Sequence, residues 1–337
     1  MGKLSKVFVT GGTGFIGTQL VIELVQRGHT VHVLRRPTSD TEGFKDERIH
    51  LFIGDLMDGE SIRNAMSGCT QVYHLAAYSK NWAKHSKTFY QNNVEGLCNV
   101  WDIAKEFGVE RVVFASSIMT CGPTNSGELG DEVKSCSIPD CSTEYQATKI
   151  IGEKKACEYM TRGLSVITVN PTRVYGPGKL TEGNSVTRMI DLYDQGKFPF
   201  LLNHGINIGN YAFVTDVVQG LVLAMENGKP GERYILGGEN VSLKQLFKLI
   251  DELNGNKHFQ ISVSSGSALF YSLWQQEKAK WLGLYPLITP GWVRTFLQDW
   301  AYSSAKAETQ LGYKITSLKE GLRITLAWLR QLRKKRK

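Results

Sequence analysis

Short apolar runs and longer amphipathic stretches take turns along the first half of the chain. Val7–Thr10, Thr30–Leu34, Ile49–Ile53, Gln71–Leu75, Arg111–Ala115 and Ser165–Val169 have the length and side-chain types of strands. Phe15–Arg27, Gly59–Met66, Thr88–Phe107 and Glu144–Thr161 read as the helices between them. Such alternation predicts right-handed βαβ crossovers, hence an α/β fold with a doubly wound parallel sheet and helices on both faces. After Pro171 the pattern loosens. Residues 172–204 hold a Gly176-Pro177-Gly178 turn and one helix. Order returns with Ala212-Phe213-Val214, a helix from Asp216 to Glu226 and a strand Arg233–Leu236. A helix from Val241 to Leu253 follows, and from Ser317 onward Leu318, Leu322, Leu326 and Leu329 form one buried stripe. The expected division is a sheet domain of residues 1–171 plus 205–239. The rest, 172–204 plus 240–337, makes a smaller, mostly helical and discontinuous C-terminal lobe.

Composition narrows the class. Of 337 residues, 42% are hydrophobic and 21% charged, the balance of a globular chain able to bury a sizeable core. Met1 to Thr10 leads straight into the first strand, and no apolar run reaches the length of a membrane span. A cytoplasmic protein is expected. The formal charge of +8 resides at the end of the chain, where Arg330, Arg333, Lys334, Lys335, Arg336 and Lys337 carry six of the positive charges. A solvated terminus is the expectation, with attraction to an anionic membrane surface as the alternative and no nucleic-acid partner. The six cysteines and seven histidines lack metal-ligand spacing, so no metal is expected and the thiols should be reduced. His74, at the end of an apolar run, reads as a packed, hydrogen-bonded residue.

The candidate chemistry begins at Lys6-Val7-Phe8-Val9-Thr10-Gly11-Gly12-Thr13-Gly14-Phe15-Ile16-Gly17. A strand here breaks into three spaced glycines and then a helix, whose N-terminus can hold a pyrophosphate. Gly11 permits the turn, Gly14 the approach of phosphate and Gly17 the close packing of helix on strand. Thr13, Phe15 and Ile16 lie in the same cradle. This is the Rossmann pattern for a dinucleotide. The second strand ends in Leu34-Arg35-Arg36-Pro37, where an acid would bind the ribose 2′-hydroxyl of NAD(H). Arg35, or secondarily Arg36, can pair instead with a 2′-phosphate, so NADP(H) is preferred and NAD(H) is the second choice. Asp55 and Leu56 end the third strand, where a carboxylate can accept from the adenine amino group. Leu75, Ala76 and Ala77 end the fourth with small side chains that allow backbone contact. Asn93 is either a support for the site or an interhelical contact.

Tyr145 and Lys149 stand four apart on a predicted helix and share a face. A nearby ammonium favours the phenolate, so the pair can exchange a proton with a carbonyl or alcohol oxygen. Ser117, after the strand Arg111–Ala115, can orient that oxygen. With these pieces in hand, the chain resembles the extended short-chain dehydrogenase/reductase superfamily, also called the NAD-dependent epimerase/dehydratase family. The resemblance spans Thr10–Gly17, Gly54-Asp55-Leu56, His74-Leu75-Ala76-Ala77, Ser116-Ser117, Tyr145-x-x-x-Lys149, Asn170-Pro171-Thr172 and Phe213–Val217. It implies a catalytic Ser117, Tyr145 and Lys149, cofactor contacts from Ser116, Pro171, Thr172 and Val174, and a homodimer. Ile118-Met119 replaces the Asp-Glu pair of nucleotide-sugar 4,6-dehydratases, which argues against dehydration. Arg35-Arg36-Pro37 looks like the dihydroflavonol-reductase and 3β-hydroxysteroid-dehydrogenase branches. The expected activity is therefore NADP(H)-dependent interconversion of a ketone and a secondary alcohol on a hydrophobic small molecule. A nucleotide-sugar 4-epimerase with tightly bound NAD is the alternative. The aromatic-rich segment 268–300 is expected to pack the lobe against the sheet domain, or else to wall a hydrophobic substrate site.

Overall fold

The computed structural model describes residues 4–85 and 87–335; Met1, Arg336 and Lys337 lie outside them. Among the described residues the strands are β1 (Lys6–Thr10), β2 (Thr30–Arg35), β3 (Ile49–Ile53), β4 (Gln71–His74), β5 (Arg111–Ala115) and β6 (Val166–Pro171), then β7 (Arg173–Tyr175), β8 (Phe200–Leu202), β9 (Ile208–Phe213), β10 (Arg233–Leu236), β11 (Glu239–Ser242) and β12 (Ile261–Val263). The helices are α1 (Phe15–Gln26), α2 (Gly59–Met66), α3 (Lys87–Tyr90), α4 (Gly96–Glu106), α5 (Glu144–Thr161) and α6 (Ser185–Asp194), followed by α7 (Val214–Asn227), α8 (Leu243–Asn254), α9 (Ser265–Leu282), α10 (Pro290–Phe296), α11 (Ala305–Leu311) and α12 (Leu318–Lys335).

Seven strands make one parallel sheet in the order β10-β6-β5-β4-β1-β2-β3. Because side chains alternate across a strand, β1 sends Val7 and Val9 to one face and Phe8 to the other. Val7 and Val9 meet α1, α7 and α11 through Leu20, Leu24, Val217, Leu221 and Leu311. Phe8 joins the core under α2, α4 and α5, with Ile62, Trp101 and Tyr159. The strand order reverses direction at β1 and β4, so a crevice opens between their carboxyl ends.

A further hydrophobic core lies apart from the main sheet. Val186 and Ile190 of α6, Leu246 and Ile250 of α8, and Leu322, Leu326 and Leu329 of α12 close on one another. The leucine stripe after Ser317 is thus one wall of that core.

Several local expectations change. Ala212 and Phe213 end β9, which leaves the main sheet and lies between β7 and β11 in a three-stranded sheet, and Val214 begins α7. The helix over 88–107 is broken by a π-helical turn, Gln91–Glu95, between α3 and α4. The basic end is not simply solvated, since Arg333 pairs with Asp191 at 2.6 Å and also with Asp194 of α6. The aromatic segment divides in three: Phe270, Tyr271, Trp274, Trp281, Leu284 and Tyr285 are exposed, Trp292 and Phe296 line the crevice, and Trp300 is buried. The expectation of core packing therefore fails for its first half.

Candidate active site

The crevice at the carboxyl ends of the sheet is a cleft of about 1070 Å3. Its inner end is the turn from β1 into α1. Gly11 has φ of +71°, and a Cβ there would lie 2.6 Å from the Ala76 nitrogen. A Cβ on Gly17 would lie 2.1 Å from the Gly11 carbonyl oxygen. Both positions need glycine, one for the turn and its approach to β4, the other for contact between helix and turn. No side chain caps α1, and no acid stands in its first turn, so this helix end suits an anion.

Thr13, Gly14, Phe15 and Ile16 line this end together with Leu75, Ala76 and Ala77. Arg35 and Arg36 enter from β2, and Asp55 and Leu56 from the end of β3. The Arg35 Nη1 donates to the Arg36 and Pro37 carbonyls at 3.3 and 3.5 Å, while its buried Nε has no partner. An uncapped helix end, a cradle that excludes Cβ atoms and an orphaned arginine nitrogen together fit a dinucleotide.

Farther along, α5 delivers Tyr145 and Lys149. Thr143 caps the helix by accepting from Gln146 N at 3.1 Å, and Gln146 Nε2 donates to the Met119 carbonyl at 2.9 Å. This stitch fixes the first turn of α5 against the segment after β5, where Ser117 sits. The Ser117 hydroxyl, which accepts from Met119 N at 3.3 Å, lies beside the Tyr145 phenol. Lys149, 2% exposed, donates from Nζ to the Ala115 carbonyl at 2.7 Å and lies 4.9 Å over the Phe114 ring.

Burial dominates the titration of both groups. Desolvation pushes the Tyr145 phenol up to about 12, with the Ser117 hydrogen bond opposing it. Desolvation pulls the Lys149 ammonium down to about 7, opposed by the Glu153 carboxylate. The phenol of the protein alone is therefore firmly protonated at neutral pH, contrary to a phenolate poised by lysine. His74 packs as expected, with Nδ1 3.0 Å from Thr10 Oγ1. Burial, with help from Lys149, pulls it down to about 3, so it stays neutral.

Of the residues singled out in the sequence, Pro171, Thr172, Val174 and Ser116 also line the cleft. Asn93 stands behind it. Its Oδ1 accepts from Tyr78 N at 2.6 Å, and its Nδ2 donates to Thr148 Oγ1 at 3.0 Å. The π-helical turn places this amide between the loop after β4 and α5, holding one to the other.

Glu153 was missed. Its Oε1 accepts from Ser116 Oγ at 2.6 Å, Thr120 Oγ1 at 2.7 Å and Asn170 Nδ2 at 2.7 Å, and its Oε2 meets Arg233 at 3.1 Å. One carboxylate thus ties α5 to the ends of β5, β6 and β10. The signal was present, since Tyr145, Lys149 and Glu153 follow at successive four-residue steps on one helix face.

A doubly wound parallel sheet, a glycine turn at its switch point and a Ser-Tyr-Lys set beside it define a dinucleotide-dependent class of protein. The NAD dependent epimerase/dehydratase family matches residues 7–237, and the chain belongs to that family, within the extended short-chain dehydrogenase/reductase superfamily. It is 31% identical over 329 residues to a protein of Synechocystis sp. provisionally named dihydroflavonol 4-reductase, covering 95% of this chain and 93% of that one. It is 26% identical to the mouse sterol-4-alpha-carboxylate 3-dehydrogenase, decarboxylating, over 99% of this chain and 93% of the relative. The fold matches the UDP-glucose 4-epimerase of Thermotoga maritima, solved with UDP-glucose, at a TM-score of 0.80 and 23% identity, over 97% and 99% of the two chains.

Proposed function

We propose that this protein is an oxidoreductase acting on a CH–OH group, using NADP(H) to interconvert a ketone and a secondary alcohol on a hydrophobic small molecule. The observation that carries the reading is the Ser117–Tyr145–Lys149 set at the end of a cleft walled by Ile118, Met119, Leu180, Val186, Trp292 and Phe296. Two relatives of similar length bear the names of a dihydroflavonol reductase and a sterol-carboxylate dehydrogenase, both of which describe such a conversion.

A bound nicotinamide cofactor supplies or accepts the hydride. Gly11, Thr13, Gly14, Phe15, Ile16 and Gly17 hold the pyrophosphate, Arg35 and Arg36 the 2′-phosphate, and Asp55 and Leu56 the adenine. Leu75, Ala76, Ala77, Pro171, Thr172 and Val174 flank the remainder, and Lys149 positions the nicotinamide ribose. Ser117 donates a hydrogen bond to the carbonyl oxygen. Tyr145, protonated at neutral pH, gives its proton to that oxygen as the alcohol forms. The segments 172–204 and 240–337 serve as the substrate lobe, and the working form is a homodimer in the cytoplasm.

The test is a screen of hydrophobic ketones for consumption of NADPH, run beside mass spectrometry of nucleotide released on denaturing the fresh protein. Turnover of a ketone with exchangeable NADP supports the reading. Stoichiometric retained NAD without NADPH consumption overturns it in favour of an epimerase.

A further inference from the structure

The outer face of α9 is bare. The helix packs through a narrow stripe of small residues, Ala268, Ser272 and Ala279, which are buried. Directly opposite on the helical wheel stand Phe270, Trp274 and Trp281, 76%, 52% and 86% exposed. Past the end of the helix at Gly283, Leu284 and Leu287 extend the apolar surface, both more than half exposed. A monomeric protein in water rarely leaves so many large apolar side chains of one face uncovered.

Charge, residue type and position select the occupant. Tyr285 joins α9 to the loop after β4, since its hydroxyl accepts from Asn81 N at 3.1 Å and its ring meets Trp82 edge-on at 5.9 Å. Residues 78–87 and 259–298 together contain Lys80, Lys84, Lys87, Lys278, Lys280 and Arg294, against a single acid, Glu277. That balance is complementary to an anionic surface. Indole and phenol rings with lysines among them are the groups that settle between lipid headgroups and acyl chains, and the Lys278 ammonium lies 5.3 Å over the Trp274 ring. The patch also lies close to the cleft: Tyr285 bonds Asn81, which lines the cleft with Lys80, and the inner side of α9 packs on α10, whose Trp292 and Phe296 form its wall.

We propose that the outer face of α9 and the loop after it dock on an anionic lipid bilayer, bringing the mouth of the cleft to the membrane surface. An apolar substrate then passes between bilayer and cleft without crossing water. The passage of substrate rests on the ketone–alcohol reading above; the docking does not.

The experiment mixes the full-length protein with vesicles of phosphatidylcholine, or of phosphatidylcholine and phosphatidylglycerol in equal parts. Binding is followed by sedimentation and by tryptophan emission. Strong, salt-sensitive binding to the mixed vesicles, with emission moving to the blue, is the expected result. Trp274→Ser with Trp281→Ser should weaken it on the order of a hundredfold, the loss of two apolar anchors. Lys278→Gln with Lys280→Gln should weaken it about thirtyfold and narrow the difference between the two vesicles. The lysine pair is exposed, so it carries the test if the tryptophan pair fails to fold. Failure to bind either vesicle overturns the proposal. So does a wild-type oligomer that dissociates in the tryptophan variant, which would make this face an interface between copies. Vesicle binding without turnover of any ketone supports the docking and sinks the function proposed above.

Discussion

Tyr145 and Lys149 titrate in opposite directions because the same burial acts on a neutral acid and on a cation. For Lys149 the ordinary value of 10.5 falls to about 7. Between those two values the unfolded chain holds a proton that the folded chain has released. Stability therefore rises with pH across that window and is fully gained above it. Melting curves from pH 6.5 to 10 should show this rise, and Lys149→Met should melt higher than the native protein at the acid end while losing most of the slope. A slope unchanged by the substitution would mean that Lys149 is not the titrating group. Tyr145→Phe keeps the ring and removes the proton. Turnover should fall by roughly 100- to 10,000-fold, the usual worth of one acid–base group, with cofactor affinity nearly unchanged in a fluorescence titration. Activity near the native level would remove Tyr145 from the chemistry.

Among elements, α5 has the most to hold in place, and Glu153 is its anchor. Glu153→Ala removes the ion-pair partner of Arg233, which keeps the Glu132 and Lys134 carbonyls, and takes one acceptor each from Ser116, Thr120 and Asn170. A loss of roughly 2–3 kcal/mol is expected by urea unfolding, below the cost of breaking a fully buried pair because both partners are partly exposed. An unfolding midpoint equal to that of the native protein would show the network to be redundant. The elements themselves were unevenly legible. Strands β1 to β6 stand out because strands of a parallel sheet are apolar on both faces. By contrast β7, β8 and β12 have three residues each and β11 four, too short for any period to show. The π-helical turn before α4 leaves helical spacing almost intact, so nothing in the pattern marks it. The α9 aromatics misled for another reason. Trp and Phe are normally core material, and only the small-residue stripe Ala268, Ser272 and Ala279 betrays which side is packed. At the site, Ser117, Tyr145 and the glycines could be read because their chemistry needs particular residue types. Spacing puts Glu153 on the face of Tyr145 and Lys149 and marks Asn93 as a candidate, but their partners are tertiary hydrogen bonds, which no local spacing specifies.

At the scale of the whole molecule, the cleft is lined from two separate hydrophobic cores, by Phe15 of one and Val186 of the other, so a ligand bridging them should stabilise both. Cofactor at a hundredfold excess over its Kd adds about 2.7 kcal/mol, seen as a rise in Tm. NADPH should raise the Tm more than NADH at equal concentration, and Arg35→Ala should erase most of that difference. Equal shifts in the native protein would refute the 2′-phosphate contact. The sheet order has a consequence of its own for biosynthesis. Six of the seven strands are complete by Pro171, whereas β10, which covers the flank of β6, begins only at Arg233. A ribosome adds the intervening residues in roughly 3–12 s. During that interval the nascent sheet presents β6, every residue of which is buried in the finished protein, as an open edge, the kind that recruits other chains. Glu153 meanwhile waits for the cation that Arg233 will bring. The window closes when one short strand arrives carrying both the missing backbone partner and the missing charge.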